Sequence, residues 1–165
     1  MPKGTDTDKA SLVRHIREAL RVELAAAERV ARDTAEAANH PEARPENDKD
    51  TRKIELSYLA AGQAARAREL EVAIAVLGSL PLRAFGGEDP LEVGALVELD
   101  VDGKSQRVFI VPAGGGTKLR DAGAEISVVT AQSPLGQALV GRTVGESFEL
   151  EVAGRRREIE ITSVE

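Results

Sequence analysis

The stretch ISVVTAQSPLGQALVGRTVGESFELEV, residues 126–152, changes its pattern twice and thereby decides the fold class. Its first residues, ISVVT, are rich in β-branched side chains and predict a strand. Ser133 then stands at an N-cap position, with Pro134 at the first helical position and Gly141 just past the end, which is the usual asymmetry of helix termini. SFELEV alternates apolar and polar residues, as strands do. The stretch predicts a sheet covered by one short helix.

Strands on either side of this stretch complete a small β-rich domain. ALVELDV and QRVFIVP flank the polar turn DGKS, which contains glycine and is typical of a hairpin. At the C-terminal side, SFELEVA and RREIEITSV alternate around an Ala-Gly turn. All the predicted strands are compatible with antiparallel pairing. They cover residues 95–101, 106–112, 125–130, 147–153 and 156–164.

The N-terminal half of the chain has helical rather than strand periodicity. Residues 9–38 contain neither glycine nor proline, and their apolar side chains recur at spacings of three, four or seven. This first face consists of Leu12, Ile16, Leu20, Leu24, Ala27, Ala31 and Ala38. A second pattern covers residues 48–77 and has the spacings of a heptad seam. The second seam is predicted to consist of Leu56, Leu59, Gln63, Ala67, Leu70, Ile74 and Leu77.

Two helices of this length joined by a short loop favour an antiparallel coiled-coil hairpin, each arm being about 45 Å long. A compact bundle is the alternative, but two helices alone cannot enclose a bulky core. The predicted class is therefore α+β, with a hairpin in residues 1–78 and its tip at about residues 40–50. Residues 79–91 are predicted to form a linker, and residues 92–165 an antiparallel β-sheet domain with one short helix.

The composition limits the possible functions. The chain of 165 residues has no cysteine and two histidines, which excludes thiolate nucleophiles, disulfides and metal sites rich in cysteine or histidine. One tyrosine, three phenylalanines and a net charge of -6 argue against base stacking and against binding to a phosphate backbone. DNA binding is not expected, and a protein is the expected partner.

Other sequence features point away from catalysis and from membranes. No nucleophile, base and orienting group occur in a recognisable set, so an independent enzyme is not expected. VPAGGGTKL lacks the spacing of a phosphate-binding loop, and GRRRE is either a solvated strand end or a contact for an acidic protein surface. Neither a signal peptide nor a run of roughly 18 apolar residues is found. We expect a cytoplasmic protein without a membrane contact.

The segment HPEARPENDKD, residues 40–50, carries four carboxylates at the predicted hairpin tip. Clustered carboxylates suit a hard cation such as Mg²⁺, which binds one or two of them together with water and groups of a partner. Acidic residues in a first helical turn also cap the helix and meet the positive end of its dipole. The residues alone leave both interpretations open.

The C-terminal half resembles the end of the bacterial Gre transcript-cleavage factors (GreA/GreB-like). In that family a strand leads into Ser-Pro-aliphatic, then a short helix ends in Ala-Leu-aliphatic-Gly, and Gly-acidic precedes two closing strands. The matching residues here are Ser133, Pro134, Leu135, Ala138, Leu139, Val140, Gly141, Gly145 and Glu146. VGALVELDVDG is similar to the family's entry into this domain, and SYLAAGQ with ARELEVAIAVL is similar in placement to its second coiled-coil helix.

The resemblance implies an FKBP-like domain that docks beside the secondary channel of bacterial RNA polymerase, with the coiled coil reaching towards the active centre. Tip carboxylates of such factors help the polymerase to hold a Mg²⁺ ion that both proteins share. The polymerase itself then hydrolyses backtracked RNA, so the factor acts on the RNA 3′ end only indirectly. Prolyl isomerase activity is not implied, because the domain has too few aromatic residues to line that pocket.

Carried onto this sequence, the resemblance assigns the catalytic tip acids to Asp48 and Asp50, with Glu46 third, and the shared Mg²⁺ to Asp48 and Asp50. Polymerase binding is assigned to Ser133, Pro134, Leu135 and Leu139. The family's tip usually carries D-x-x-E, whereas no two acids of this segment are three positions apart. Two functions follow as hypotheses: stimulation of transcript cleavage, or a secondary-channel regulator that inhibits or modulates the polymerase without cleavage.

Overall fold

The structure, a computed structural model, describes residues 7–40 and 47–165, with side chains described for residues 7–40 and 51–165. Two long helices precede a sheet that also carries one short helix, so the predicted α+β class is confirmed. The helices are α1 (Lys9–Asn39), α2 (Asn47–Gly78) and α3 (Pro134–Leu139). The strands are β1 (Leu96–Val101), β2 (Lys104–Val111), β3 (Lys118–Asp121), β4 (Ala124–Thr130), β5 (Ser147–Val152) and β6 (Arg155–Val164).

The chain divides into two compact units, one of which is Glu18–Ala75; the other contains the remaining described residues. The first unit is therefore built from most of α1 and α2. The second contains the sheet, α3, the first residues of α1 and the last residues of α2. The predicted division at residues 79–91 stays a prediction. Phe85 and Leu91, both from that predicted linker, are buried in the core of the sheet-containing unit.

The apolar face of α1 is the predicted one. Leu12, Ile16, Leu20, Ala27 and Ala38 are buried, and Leu24 and Ala31 are half-buried. Thr34, which the apolar pattern omitted, is also buried. From Leu20 onwards it completes a strict alternation of spacings, because it lies between Ala31 and Ala38 at spacings of three and four.

The seam of α2 differs from the prediction at one position. Leu59 is 49% exposed, and Ala60 is half-buried in its place. The observed seam of Leu56, Ala60, Gln63, Ala67, Leu70, Ile74 and Leu77 alternates strictly between spacings of four and three. Strict alternation keeps the side chains on one side of a helix, whereas the predicted series contained two successive steps of four. The prediction of Leu59 as a seam residue is therefore wrong.

The sheet has six strands in the order β3-β4-β2-β1-β6-β5, rather than the five strands predicted. All neighbouring pairs are antiparallel except β2 and β4, which run parallel with Phe109 opposite Val128. The sheet is thus mixed, and the prediction of purely antiparallel pairing is corrected. The additional strand, β3, pairs with β4 across a turn in which Ala122 and Gly123 both have positive φ. Such a turn suits a two-residue hairpin.

The core of the sheet-containing unit lies between the sheet and the segments that cover it. Leu91, Ala95 and Leu139 are fully buried with side chains from the central strands. The strand residues of this cluster are Val97, Leu99, Val108, Ile110, Ile159 and Ile161. The alternate residues of the two central strands, Leu96 and Phe109, are buried as well. Because successive strand residues point to opposite faces, both faces of the central strands are covered.

Candidate functional site

The short helix α3 is fixed by side-chain and backbone contacts at its start. Ser133 is its N-cap: the Ser133 hydroxyl accepts a hydrogen bond of 3.1 Å from the Gly136 amide and donates one of 2.8 Å to the Thr130 carbonyl. Pro134 occupies the first turn, where a missing amide proton costs nothing. A Cβ atom on Gly136 would lie 2.8 Å from the carbonyl carbon of Thr130. The helix therefore packs directly on the end of β4.

The four residues predicted to bind a partner lie in different environments. Leu139 is fully buried in the core cluster, and Ser133 is used in the cap. Pro134 is exposed and Leu135 is half-buried. Pro134 and Leu135 can therefore contact a partner directly, whereas Ser133 and Leu139 position α3 beneath them.

Leu135 opens onto a cavity of about 560 Å³ on the sheet-containing unit. The cavity brings α3 together with strands β1, β2, β5 and β6. Its lining combines apolar side chains with polar ones at the rim, and consists of Val101, Asp102, Lys104, Gln106, Leu135, Val152, Arg157 and Ile159. A cavity of this size holds a few side chains of a partner rather than a whole element.

The rim of the cavity is held by an ion pair across two strand ends. The Arg157 guanidinium lies 2.8 Å from a carboxylate oxygen of Asp102, and the Glu158 amide donates to the other oxygen at 3.1 Å. The hydrogen bond from Arg157, followed by that from Glu158, lowers the pKa of Asp102 below its ordinary value. Asp102 and Gly103 both have positive φ and form the tight turn between β1 and β2. The ion pair thus ties that turn to β6.

This arrangement is suited to binding rather than to reaction. Arg157 belongs to the basic run GRRRE, and the cavity places it beside the apolar Leu135, with Lys104 also at the rim. Arg156 of the same run pairs with Glu149 at 3.5 Å on the exposed face of β5 and β6. Apolar side chains beside Lys104 and the Asp102-paired Arg157 match a partner surface that carries apolar and acidic side chains.

Sequence reasoning found Leu135 and noticed the basic run, but it missed Val101, Lys104 and Val152. The hydropathy of single strands contains no sign that these residues meet. They come together because β6 pairs with both β1 and β5. The alternation within each strand would identify such a site only if the strand order were already known.

The predicted tip acids lie at the edge of what the structure describes. Glu46 is outside the described residues. Asp48 and Asp50 have described backbones, within the first turn of α2. Positions two residues apart on an α-helix differ by about 200° around its axis, so these two positions are on different sides of α2. The assignment of Glu46, Asp48 and Asp50 as site residues stays a prediction.

Two further observations concern the described part of the chain alone. Among its residues, no group of three or more histidine or acidic side chains has the arrangement of a metal site. No helix there has the length and apolar character needed to cross a membrane.

Comparison with known proteins identifies the C-terminal part of the chain. Residues 87–165 match the family described as "Transcription elongation factor, GreA/GreB, C-term". The C-terminal part of the chain is therefore similar to this family, and we call residues 87–165 the Gre domain. The resemblance carried by Ser133, Pro134 and the following helix is thereby confirmed, and the cavity at Leu135 lies within the Gre domain.

Three solved structures are similar to the chain, two of them over nearly all of its length. Gfh1 (GreA factor homolog 1) of Thermus thermophilus is 21% identical, covering 94% of this chain and 93% of that one, with a TM-score of 0.38. Thermus aquaticus Gfh1 is 18% identical over 92% of each chain, with a TM-score of 0.39. The transcription elongation factor GreA/GreB of Nitrosomonas europaea is 18% identical over 58% of this chain and 78% of its own, with a TM-score of 0.34. No curated protein matches the sequence. The similarity to the Gre family therefore concerns residues 87–165.

Proposed function

We propose that this protein is a cytoplasmic transcription elongation factor that binds bacterial RNA polymerase at its secondary channel and stimulates cleavage of backtracked RNA by the polymerase. The observation that supports the proposal best is the Gre domain at residues 87–165. It stands in one chain with two long helices separated by an acidic segment. In this proposal the protein is an accessory factor, and the polymerase itself catalyses the cleavage.

Docking is assigned to the surface around Pro134 and Leu135. Pro134 is exposed, and Leu135 lines a cavity whose rim carries Lys104 and Arg157. Burial of one leucine side chain contributes about 1.5–3 kcal/mol, enough to change affinity by one to two orders of magnitude. Because Asp102 already pairs with Arg157, Lys104 carries the uncompensated charge of these three residues; it would favour acidic residues on the polymerase and make the affinity depend on salt.

The acidic segment is assigned to the active centre of the polymerase. Aspartate oxygens are the kind of ligand that Mg²⁺ prefers, and the ion commonly takes only one or two carboxylates from a protein. Asp48 and Asp50 would hold the ion shared with the polymerase, and Glu46 is the third tip acid proposed to act in the active centre. When bound, such an ion polarises phosphoryl oxygens and lowers the pKa of a water molecule. Since positions 48 and 50 are on different sides of α2, we expect the two aspartates to contribute unequally.

The decisive test uses stalled, backtracked elongation complexes. The protein should release shortened RNA faster than the polymerase alone, and Asp48→Asn, Asp50→Asn and Glu46→Gln should each be compared with it. At least one of the aspartate substitutions should lower the rate about tenfold or more, since it removes a charge at a phosphoryl-transfer centre. Glu28→Gln, an exposed acid on α1, is the matched control and should leave the rate unchanged.

A second candidate is a secondary-channel regulator that inhibits or modulates the polymerase without cleavage. It is favoured by one observation: no two acids of residues 40–50 have the three-residue spacing of D-x-x-E. Competition with an authentic Gre factor, without any shortened RNA, would establish this candidate and contradict the first.

A gain-of-function variant sharpens the distinction. Asn47→Asp combined with Asp50→Glu installs D-x-x-E at positions 47–50. If the natural spacing disables cleavage, this double variant should start to cleave, whereas the unmodified protein should not. If the protein bound no polymerase in any of these assays, both candidates would fail, and an interaction module unrelated to transcription would take their place.

A further inference from the structure

The outer side of α2 carries a second heptad of side chains that the hairpin seam does not use. Ile54, Tyr58 and Val72 on this side are 55%, 76% and 63% exposed. Between them lie Ala61, Ala65 and Arg68, all of them exposed too. We call these six residues the outer stripe of α2.

The outer stripe has the geometry of a coiled-coil contact. Its residues follow one another at spacings of four, three, four, three and four, and they lie on the side of α2 opposite the buried seam. A helix that is apolar on two sides buries the second side against another partner. Ile54 and Tyr58 are neighbours on this side, and Val72 lies on the same side further along the helix, so the exposed apolar residues form one line.

The stripe is complementary to its own reverse. An antiparallel copy of α2 placed with Ile54 opposite Val72 would also place Tyr58 opposite Arg68 and Ala61 opposite Ala65. Aliphatic side chains then meet each other at both ends, two alanines meet at the centre, and each guanidinium lies against a tyrosine ring. A guanidinium over an aromatic face is a favourable contact. An interface between two-fold related copies requires a surface that is complementary to itself, and the outer stripe meets this requirement.

The charges beside the stripe agree with the same register. Lys53 and Glu71 are exposed on one flank and would approach each other across the two-fold axis. The like charges of Glu55 and Glu69 would approach on the other flank. Glu69 already pairs with Arg66 at 3.4 Å, which offsets that repulsion. The symmetric arrangement therefore has two complementary ion pairs.

Gly62, beside the centre of the stripe, supports a close approach of a second helix. A Cβ atom at this position would meet nothing within 4 Å in the chain, so packing within one copy does not require a glycine. A glycine inside a helix costs roughly 0.5–1 kcal/mol relative to alanine. Small residues at a helix crossing allow the two backbones to approach closely.

From these observations we propose that the outer stripe of α2 is a self-association surface on which two copies of the chain pair antiparallel, Ile54 of one copy against Val72 of the other. Six residues from each copy make a small interface, so the dimer is weak and forms at high protein concentration. The proposal is independent of the proposed function, because it uses only residues of α2 outside the acidic segment.

Sedimentation of the full chain between about 1 µM and about 500 µM measures the association, a range suited to a small interface. The weight-average mass should rise towards that of a dimer. Tyr58→Ala should weaken the dimer about tenfold, because it removes two aromatic contacts at once. A chain that stays monomeric at every concentration would overturn the proposal.

Charge exchange tests the register. Lys53→Glu should weaken the dimer about tenfold, and Lys53→Glu combined with Glu71→Lys should restore it to within about threefold, because two pairs are involved. Arg29→Glu changes the net charge equally but lies on α1, and it should have no effect beyond general repulsion. If the double variant were weaker than the single one, the register would be wrong. The double variant also serves as the control for folding.

Cross-linking tests the orientation without relying on affinity. The chain has no cysteine, so introduced thiols are the only ones present. A mixture of Ile54→Cys and Val72→Cys chains should form a disulfide-linked dimer, whereas neither variant alone should, because its equivalent positions are about 27 Å apart along the axis. Linkage of Ile54→Cys with itself would overturn the antiparallel arrangement. If stripe variants lost binding to RNA polymerase while the protein stayed monomeric, the stripe would be assigned to the polymerase instead.

Discussion

The ammonium group of Lys9, at the start of α1, donates a hydrogen bond of 2.9 Å to the main-chain oxygen of Glu165. The same group donates to the carbonyls of Arg83 and Gly94 and lies 5.1 Å from the centre of the Phe85 ring. One side chain thus joins the first helix to three separate segments of the sheet-containing unit.

We therefore expect Lys9→Met to destabilise the protein. The variant keeps the length of the side chain but leaves three carbonyls without this donor, which should lower the free energy of unfolding by about 1–3 kcal/mol. Arg14→Met on the same helix is the control: its pair with Asp8 is exposed, so the loss should stay below about 0.5 kcal/mol. Urea denaturation followed by circular dichroism measures both. Equal losses would show that the Lys9 contacts contribute no more than a surface pair.

Replacing either of two helical glycines by alanine should change the stability of the protein, in opposite directions. At Gly136 an added Cβ would collide with the carbonyl group of Thr130, so Gly136→Ala should lower stability by about 2–3 kcal/mol or displace α3. At Gly62 an added Cβ meets nothing within 4 Å, and Gly62→Ala should raise stability by about 0.5–1 kcal/mol through helix propensity. Thermal unfolding at low protein concentration compares them. Stabilisation by both substitutions would contradict the close packing of α3 on β4.

Features that arise from local sequence were predicted well. The two long helices, the cap at Ser133 and the turn around Gly103 each follow from residues that are neighbours in sequence. The seam position of Leu59 was predicted wrongly because leucine is more apolar than the neighbouring Ala60. Helix geometry rather than hydropathy decides which of the two faces the partner helix.

Features that arise from strand pairing were not predictable in the same way. Strand β3 has four residues and follows a glycine-rich loop, so it gives almost no periodic signal. Its insertion allows β4 to lie parallel to β2. The cavity at Leu135 depends on the resulting strand order. The sequence therefore indicated one residue of the candidate docking site, and the topology supplied its neighbours.

Glu146 should make stability depend on pH. Hydrogen bonds from the Thr143 amide, and then from the Thr143 hydroxyl, with the nearby charge of Arg142, lower the pKa of this carboxyl below its ordinary value of 4.5. A carboxyl whose pKa is lower in the folded state stabilises the protein above the unfolded value. That contribution is lost as the pH falls through the folded value.

We expect the urea midpoint of the unmodified protein to differ from that of Glu146→Gln by an amount that changes with pH. Urea midpoints should favour the unmodified protein at pH 7, and the difference should shrink as the pH falls below 4.5, the ordinary value for this group. Urea titrations of both proteins at each pH, monitored by circular dichroism, measure this difference. A difference that stayed constant from neutral to acidic pH would mean that Glu146 acts through packing and not through its charge.

Substitutions of Leu135 and Leu139, which are neighbours on α3, should have different effects. One should lower the affinity for RNA polymerase, and the other should lower the free energy of unfolding. Leu135 is half-buried at the cavity and packs against the core cluster, so Leu135→Asp should weaken binding to RNA polymerase about tenfold or more, beyond any loss of folded protein. Leu139 is fully buried, so Leu139→Ala should lower the free energy of unfolding by about 2–4 kcal/mol. Its binding should fall only in proportion to the folded fraction.

Binding isotherms and urea denaturation of the same two variants give the required comparison. Pro134→Ala is a useful third variant, because it changes an exposed residue beside Leu135 and retains the Ser133 cap. If Leu135→Asp bound the polymerase as well as the unmodified protein, docking would have to use another surface of the Gre domain. The exposed face of β5 and β6, where Arg156 pairs with Glu149, would then be the next candidate.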